Sequence, residues 1–183
     1  TIKFSPSLPN ELNDIATKTQ TWMEDSIKVA ITYNKPFWEN EDLPSTLFSN
    51  SGPIVELYDH TNHEKSKFAL CGFMDSSLKN LTTHARRESV NLQLKNIFGV
   101  RALEYTNYKE CIWNNEENTF VPSDTILLPH QNNGNPIFNN TYFGNKLYIS
   151  SSESALEFPG YMEGAVYSAN TIVEKIKKAQ QGA

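Results

Sequence analysis

The clearest periodicity in the chain lies near its C-terminal end, where Met162, Ala165, Val166, Ala169, Ile172, Val173 and Ile176 recur at steps of three and four. That is the period of a helix with one apolar face. Lys175, Lys177 and Lys178 fall near its end, where positive charge complements the terminal carbonyls. A second helical pattern covers 83–98, with Val90, Leu94, Ile97 and Phe98 on one face and Gly99 as its stop. A third, over 10–22, follows Pro6 and Pro9 and turns Leu12, Ile15 and Ala16 inward. Residues 26–33 instead alternate: Ile27, Val29 and Ile31 point one way, and Ser26, Lys28, Ala30 and Thr32 the other. This is the pattern of a half-buried strand. Apolar runs at 46–49, 53–57, 67–73 and 102–113 read as further strands, and 2–4 and 147–149 as two short ones. The polar turn at 50–52 and the polar stretch 59–66 are short connections, which suit antiparallel pairing. From 119 to 142, Pro122, Pro129, Gly134 and Pro136 break any period and predict a long loop, a kind of segment that is commonly functional.

Composition narrows the classes. The chain has 183 residues, enough for one compact domain with its own core, and a net charge of -5 with charges scattered along it. A nucleic-acid footprint would need a basic stripe, and none is present. No run of about eighteen apolar residues exists, so no membrane span is expected. The sequence starts at Thr1 without a signal-peptide pattern and reaches Pro6 and Pro9 almost at once, which suggests a trimmed or excised piece. Cys71 and Cys111 sit in apolar, strand-like surroundings and form no disulfide framework, pointing to a reducing, cytoplasmic-type compartment. The matches to the glycosylation acceptor pattern at Asn80 and Asn139 are of the number that an Asn-rich chain produces by chance. His60 and His63 lie near Asp59 and Glu64, but no second pair at ligand spacing accompanies them, so no metal site is expected. His84 and His130 are isolated, and no Ser-His-Asp or Cys-His arrangement can be assembled.

The chemical interest concentrates where the polar turn at 150–154 leads through Pro159 and Gly160 into the last helix. The first turn of a helix leaves backbone N–H groups without intrahelical partners, and these attract negative charge or an electron-rich edge. Gly160 and Gly164 allow close approach to that backbone, and Tyr161 places one aromatic ring beside it. The ordinary reading is that the two glycines serve helix packing and Tyr161 fills core.

The residues as a whole carry a sharper reading. Leu147-Tyr-Ile-Ser-Ser-Ser-Glu-Ser-Ala155 followed by Phe158-Pro-Gly-Tyr-Met-Glu-Gly-Ala-Val166 resembles the closing signature of the flavin-containing amine oxidases, in which a strand ending Phe-Ala-Gly-Thr-Glu precedes Gly-Tyr-Met-Glu-Gly-Ala. Glu153 and the whole of 160–165 are kept; Ser150 and Ser151 stand where the family usually has Ala-Gly. The segment 23–38, with Ser26-Ile-Lys-Val29, Tyr33 and Pro36-Phe-Trp38, is similar to the opening of the family's substrate-binding domain, and 103–113 to the strand whose closing tryptophan lies under the flavin. A bottom-up reading of Lys28 is a solvated strand position, and of Trp113 a cap on the core at a strand end.

What the resemblance implies is specific. Lys28 faces the flavin and helps oxygen react with the reduced cofactor. Trp113, Ser152, Glu153, Gly160, Tyr161 and Met162 hold or wall an FAD, and Tyr161 is half of an aromatic cage whose second wall is Phe120 or a residue from 127 to 130. The reaction implied is hydride removal from the carbon beside an amine nitrogen, with oxygen as acceptor and hydrogen peroxide as product. The fold implied is α+β, a mixed, largely antiparallel sheet with helices packed on one side plus a C-terminal strand and helix. Residues 1–142 then form a substrate-binding domain and 143–183 the closing strand and helix of an FAD-binding domain. No Gly-x-Gly-x-x-Gly fingerprint occurs in the chain, so the rest of that domain is expected from polypeptide outside it, and the 183 residues alone are expected to be inactive. Two alternatives stay open: a related flavin oxidoreductase such as an amino-acid oxidase or desaturase, and a non-catalytic binding module that has lost the cofactor site. Arg86, Arg87 and Arg101, the arginines available to pair a substrate carboxylate, lie outside the channel stretch.

Overall fold

The computed structural model describes residues 2–21, 23–39, 43–120 and 127–181, arranged as two compact units, 1–24 with 121–183 and 25–120. Trp22, at the end of the expected first helix, and 121–126 of the expected long loop, Pro122 among them, lie outside the described residues.

The unit 25–120 is built on a five-stranded sheet. Its strands are β1 (Ile27–Tyr33), β2 (Thr46–Phe48), β3 (Ile54–Asp59), β4 (Phe68–Met74) and β5 (Asn107–Ile112), in the order β2-β3-β4-β1-β5 with every pairing antiparallel. Burial alternates along the whole of β1, and Ile27, Val29 and Ile31 are fully buried. Leu57, Leu70 and Met74 from β3 and β4 join them on one face. There they meet helix α2 (Thr83–Phe98) through Val90, Leu94 and Phe98, and a ring cluster of Tyr33, Phe37 and Trp38 closes one end. Thr82 caps the start of α2 by accepting from the Ala85 N–H, and Gly99 at φ 79° ends it. The fold is therefore α+β, with the helix on one side of the sheet. The expected strand 102–113 is shorter, because Val100–Leu103 winds into a 3-10 turn and pairing with β1 starts at Asn107.

The unit 1–24 with 121–183 is loop-rich, with α1 (Asn10–Thr17) and α3 (Met162–Gln181). Residues 2–4 are exposed and unpaired rather than a strand. Helix α1 stops at Thr17, short of the expected 22, where the sequence turns to Thr17, Thr19 and Thr21; β-branched residues crowd a helix, and Thr17 and Thr19 turn their hydroxyls back onto the Asn13 and Ile15 carbonyls. The expected strand 147–149 is a single antiparallel bridge between Tyr142 and Leu147, since no described strand of this unit runs beside Tyr148 and Ile149. Loop and helix are stitched by polar contacts: Gln20 N–H donates to the Gln131 carbonyl at 3.1 Å, and Asn132 Nδ2 to the Lys18 carbonyl at 2.9 Å.

Helix α3 forms as the periodicity predicts but turns a different face inward. Gly164, Ser168 and Ile172 are its buried residues, while Met162 is 89% exposed and Val166 55%. Small residues face inward because the preceding turn presses on them: a Cβ on Gly164 would lie 2.1 Å from the Phe158 carbonyl oxygen. The apolar stripe of Met162, Val166, Val173 and Ile176 is left at the surface.

Candidate functional site

The turn at 150–154 is locked by serines. Ser151 and Ser154 each donate a backbone N–H to the other's hydroxyl, and the Ser154 hydroxyl lies 3.0 Å from that of Ser168 on α3. The Ser152 carbonyl accepts from the Gly160 N–H at 3.0 Å, and the Glu153 carbonyl from the Gly134 N–H at 2.7 Å. Ser152 thus acts through its backbone. The carboxylate of Glu153 lines a cavity of about 200 Å³ together with Thr19, Thr21 and Ser151, over Phe138, Ile149 and Ala16. Ser151, Thr21 and Glu153 thus add polar side chains to an apolar floor, while the Thr19 hydroxyl is already donated to the Ile15 carbonyl. Ser151, which stands where the family usually has Gly, is one wall of that cavity.

Gly160, at φ +83°, reverses the chain into α3, and a Cβ there would sit 3.1 Å from Asn133 Nδ2 and 3.5 Å from His130 Nδ1. Gly160 and Tyr161 give their own N–H groups to the Ser152 and Phe158 carbonyls, which leaves the helix opening proper at Met162, Glu163 and Gly164. That opening is at the surface: Tyr161 is 45% exposed. His130 stacks on the Tyr161 ring, centroids 6.0 Å apart and planes inclined by 20°, and its Nδ1 is 3.4 Å from Asn133 Nδ2. Among the residues 127–130, the ring beside Tyr161 is thus the imidazole of His130. Asn133 Oδ1 is buried without a partner among the described residues.

Lys28 and Trp113 belong to the other unit. Trp113 closes β5 by donating its N–H to the Ser26 carbonyl at 3.1 Å, two residues from Lys28. Lys28, opposite Phe73 and Cys111 in the sheet, is half-buried rather than solvated, and its Nζ lies 4.4 Å from the Phe73 ring centre. Burial pushes the Cys71 thiol up, against the opposing pull of the Lys28 charge, and burial with Glu116 raises Cys111; both thiols stay protonated at neutral pH. The site residues read from the sequence thus form two sets: Lys28 with Trp113, and Ser152, Glu153, Gly160, Tyr161 and Met162. Thr19, Thr21 and Phe73 carry no motif and are visible only through the fold. Among the described residues no group of three or more His, Cys, Asp or Glu can hold a metal ion, and no helix is long and apolar enough to cross a membrane.

The whole sequence places the chain in a family. The family model of the flavin-containing amine oxidoreductases matches residues 1–177, and the chain belongs to that family. It is 25% identical over 186 residues to the probable flavin-containing monoamine oxidase A of Dictyostelium discoideum, covering 96% of this chain and 39% of that protein. To the flavin-containing amine oxidase B of Homo sapiens it is 26% identical over 191 residues, covering 97% and 35%. A structure of putrescine oxidase bound to putrescine matches with a TM-score of 0.76 at 25% identity, covering 94% of this chain and 39% of that one. The chain therefore spans between 35% and 39% of the length of these relatives.

Proposed function

We propose that the protein carrying this chain is an FAD-dependent amine oxidase, in which 1–142 serve substrate binding and 143–183 complete a cofactor domain supplied by further polypeptide. The observation that carries the reading is the exposed start of α3, with Tyr161 beside free-standing helix donors and Glu153 in a hydroxyl-lined cavity. A bound flavin supplies the acceptor for hydride from the carbon beside the substrate nitrogen, with oxygen as the final acceptor and hydrogen peroxide as product. The chain's own residues do the rest. The N–H groups at the start of α3 stabilise negative charge at the edge of a flat ring. Glu153, with Ser151 and Thr21, hydrogen-bonds a polyol chain. Tyr161 and Trp113 wall the ring, and the Lys28 ammonium holds a water and places positive charge where oxygen is reduced.

The complete protein is expected to be yellow and to consume oxygen when given an amine, whereas residues 1–183 alone are expected to be colourless. In the complete protein, Lys28→Met is expected to slow reoxidation of the reduced flavin roughly 100-fold, as removal of one preorganised charge does elsewhere, with little effect on anaerobic reduction by the amine. Stopped-flow absorbance separates the two half-reactions. Equal slowing of both, or of neither, counts against the role given to Lys28.

A further inference from the structure

Three polar groups at one end of the sheet of 25–120 lack the partners that their chemistry requires. Ser26 is 9% exposed, and its Oγ is buried with no hydrogen-bond partner among the described residues. Asn114 Oδ1 is buried in the same condition. Lys28, half-buried, has its Nζ over the Phe73 ring, and among the described residues no carboxylate, hydroxyl or carbonyl accepts from it. A ring face attracts the charge but offers no lone pair to the three ammonium donors.

The strand register brings these groups to one place. Ser26 and Lys28 are two residues apart, so their side chains leave the same face of the strand, roughly 7 Å from each other along it. Ser26 extends the pairing of β1 with β5 by one residue, since its carbonyl accepts from the Trp113 N–H at 3.1 Å, and Asn114 follows Trp113 directly. Buried polar groups in folded proteins are almost always paired, either with protein or with ordered water, and a water settles where several donors and acceptors converge. Here the set is complementary: an ammonium that only donates, an amide oxygen that only accepts, and a hydroxyl that does either. One water, about 2.8 Å from each partner, spans the gap between the Ser26 hydroxyl and a lysine tip two residues on.

We propose that Ser26 is a positioning residue for the oxygen step: its hydroxyl, with Asn114 Oδ1, binds an ordered water that accepts from Lys28 and fixes where the ammonium charge stands. The use of that charge rests on the amine-oxidase reading, whereas the water itself rests on the three unpartnered groups. Ser26 acts only through Lys28.

The first readout is structural. A high-resolution crystal structure of the complete protein is expected to show a water within about 3.2 Å of both Ser26 Oγ and Lys28 Nζ, and Ser26→Ala is expected to lose it. The second is kinetic. In the complete protein, Ser26→Ala is expected to slow reoxidation of the reduced flavin roughly 3- to 10-fold, the range for one neutral hydrogen bond, and to leave anaerobic reduction by an amine within about twofold. Ser26→Thr, which keeps the hydroxyl, is expected to restore the reoxidation rate. In the Lys28→Met protein, adding Ser26→Ala is expected to change reoxidation by less than about twofold, because nothing is left to position. Absence of the water, equal slowing of both half-reactions, or an undiminished effect of Ser26→Ala in the Lys28→Met protein overturns the proposal and leaves the amine-oxidase reading standing. A Lys28→Met protein that reoxidises at the unmodified rate overturns the role of Lys28 and the positioning role of Ser26 together. A complete protein that binds no flavin overturns the amine-oxidase reading, and the crystallographic water then decides the hydration site by itself.

Discussion

Gly72→Ala is expected to destabilise the unit 25–120 by about 4 kcal/mol, a large share of the ~5–15 kcal/mol that holds a typical domain folded. Gly72 lies in β4 between Leu57 of β3 and Val29 of β1. The register between β3 and β4 shifts between Ile54 and Glu56, and this irregularity swings the β3 backbone into the space a side chain would occupy. A Cβ at 72 would lie 2.0 Å from the Glu56 carbonyl oxygen and 3.0 Å from Leu57 Cα. Neither is the end of a flexible side chain, so relief requires lifting β3 away and exposing Ile54 and Leu57, now 0% and 1% accessible. Gly99→Ala is the control. Gly99 has φ +79° and ψ −175° but nothing within 4 Å of its would-be Cβ, so its substitution carries only the backbone penalty of that glycine-favouring region, about 1–3 kcal/mol. Urea titration of the two variants should show the larger loss for Gly72→Ala. A Gly72→Ala loss no larger than that of Gly99→Ala would mean that β3 does not press on β4 at Glu56.

How much of this was legible in the sequence depends on whether a feature is local. The alternation at 26–33 was readable because one face of β1 meets a continuous core, so residue type and burial change together at every position. The end of helix α2 was readable at Gly99, a residue whose chemistry stops helices, whereas the cap at Thr82 emerges only from the fold. The helix interior was less legible. Gln93 reads as a solvated position, yet it is buried and uses its amide to serve the Ile54 N–H at 2.8 Å and the Ile54 and Ser51 carbonyls at 2.9 Å, the backbone groups next to the irregularity in β3. No periodicity can report that, because the need for a surrogate partner arises in another element. Helix α3 misled for the opposite reason. Its apolar residues are the strongest pattern in the chain, but the serine turn packs on Gly164 and Ser168, so small size outweighed apolarity in choosing the inner face.

The candidate site divides along the same line. Glu153, Gly160, Tyr161 and Met162 lie close together in the sequence and were recognisable as a motif. Phe73 was invisible, since its place against Lys28 comes from a register between strands that no one-dimensional spacing encodes. Thr19 and Thr21 were likewise read as helix and not as cavity wall, because their nearness to Ser151 and Glu153 spans more than a hundred residues of sequence.

Arg86 carries the second large expected effect. Both it and Glu110 are nearly inaccessible, with side chains 3% and 7% exposed. Arg86 Nε donates to Glu110 at 2.9 Å and Nη2 to the same oxygen, while Nη1 serves the carbonyls of Leu78, Lys79 and Leu81; Tyr108 donates its hydroxyl to the other Glu110 oxygen at 2.9 Å. One guanidinium therefore ties the turn before α2 to β5. Burial alone pulls the Glu110 carboxyl up, but the hydrogen bonds from Arg86 and Tyr108 and the Arg86 charge together hold it below the usual glutamate value. A depressed folded value means that the carboxylate adds stability above about pH 4.5, its value when unfolded, and that this is lost as pH falls through the folded value. Glu110→Gln is expected to cost about 3–5 kcal/mol at pH 7 by stranding a buried guanidinium, and to flatten the acid limb of the stability curve. Because the carboxylate and the cation strand each other, Arg86→Met combined with Glu110→Leu is expected to cost less than the sum of the two single changes. Urea midpoints from pH 3 to pH 8 test both statements. Glu110→Gln with the unmodified protein's acid slope, or strictly additive losses in the cycle, would mean that the turn is held by packing around Leu78 and that the ion pair is incidental.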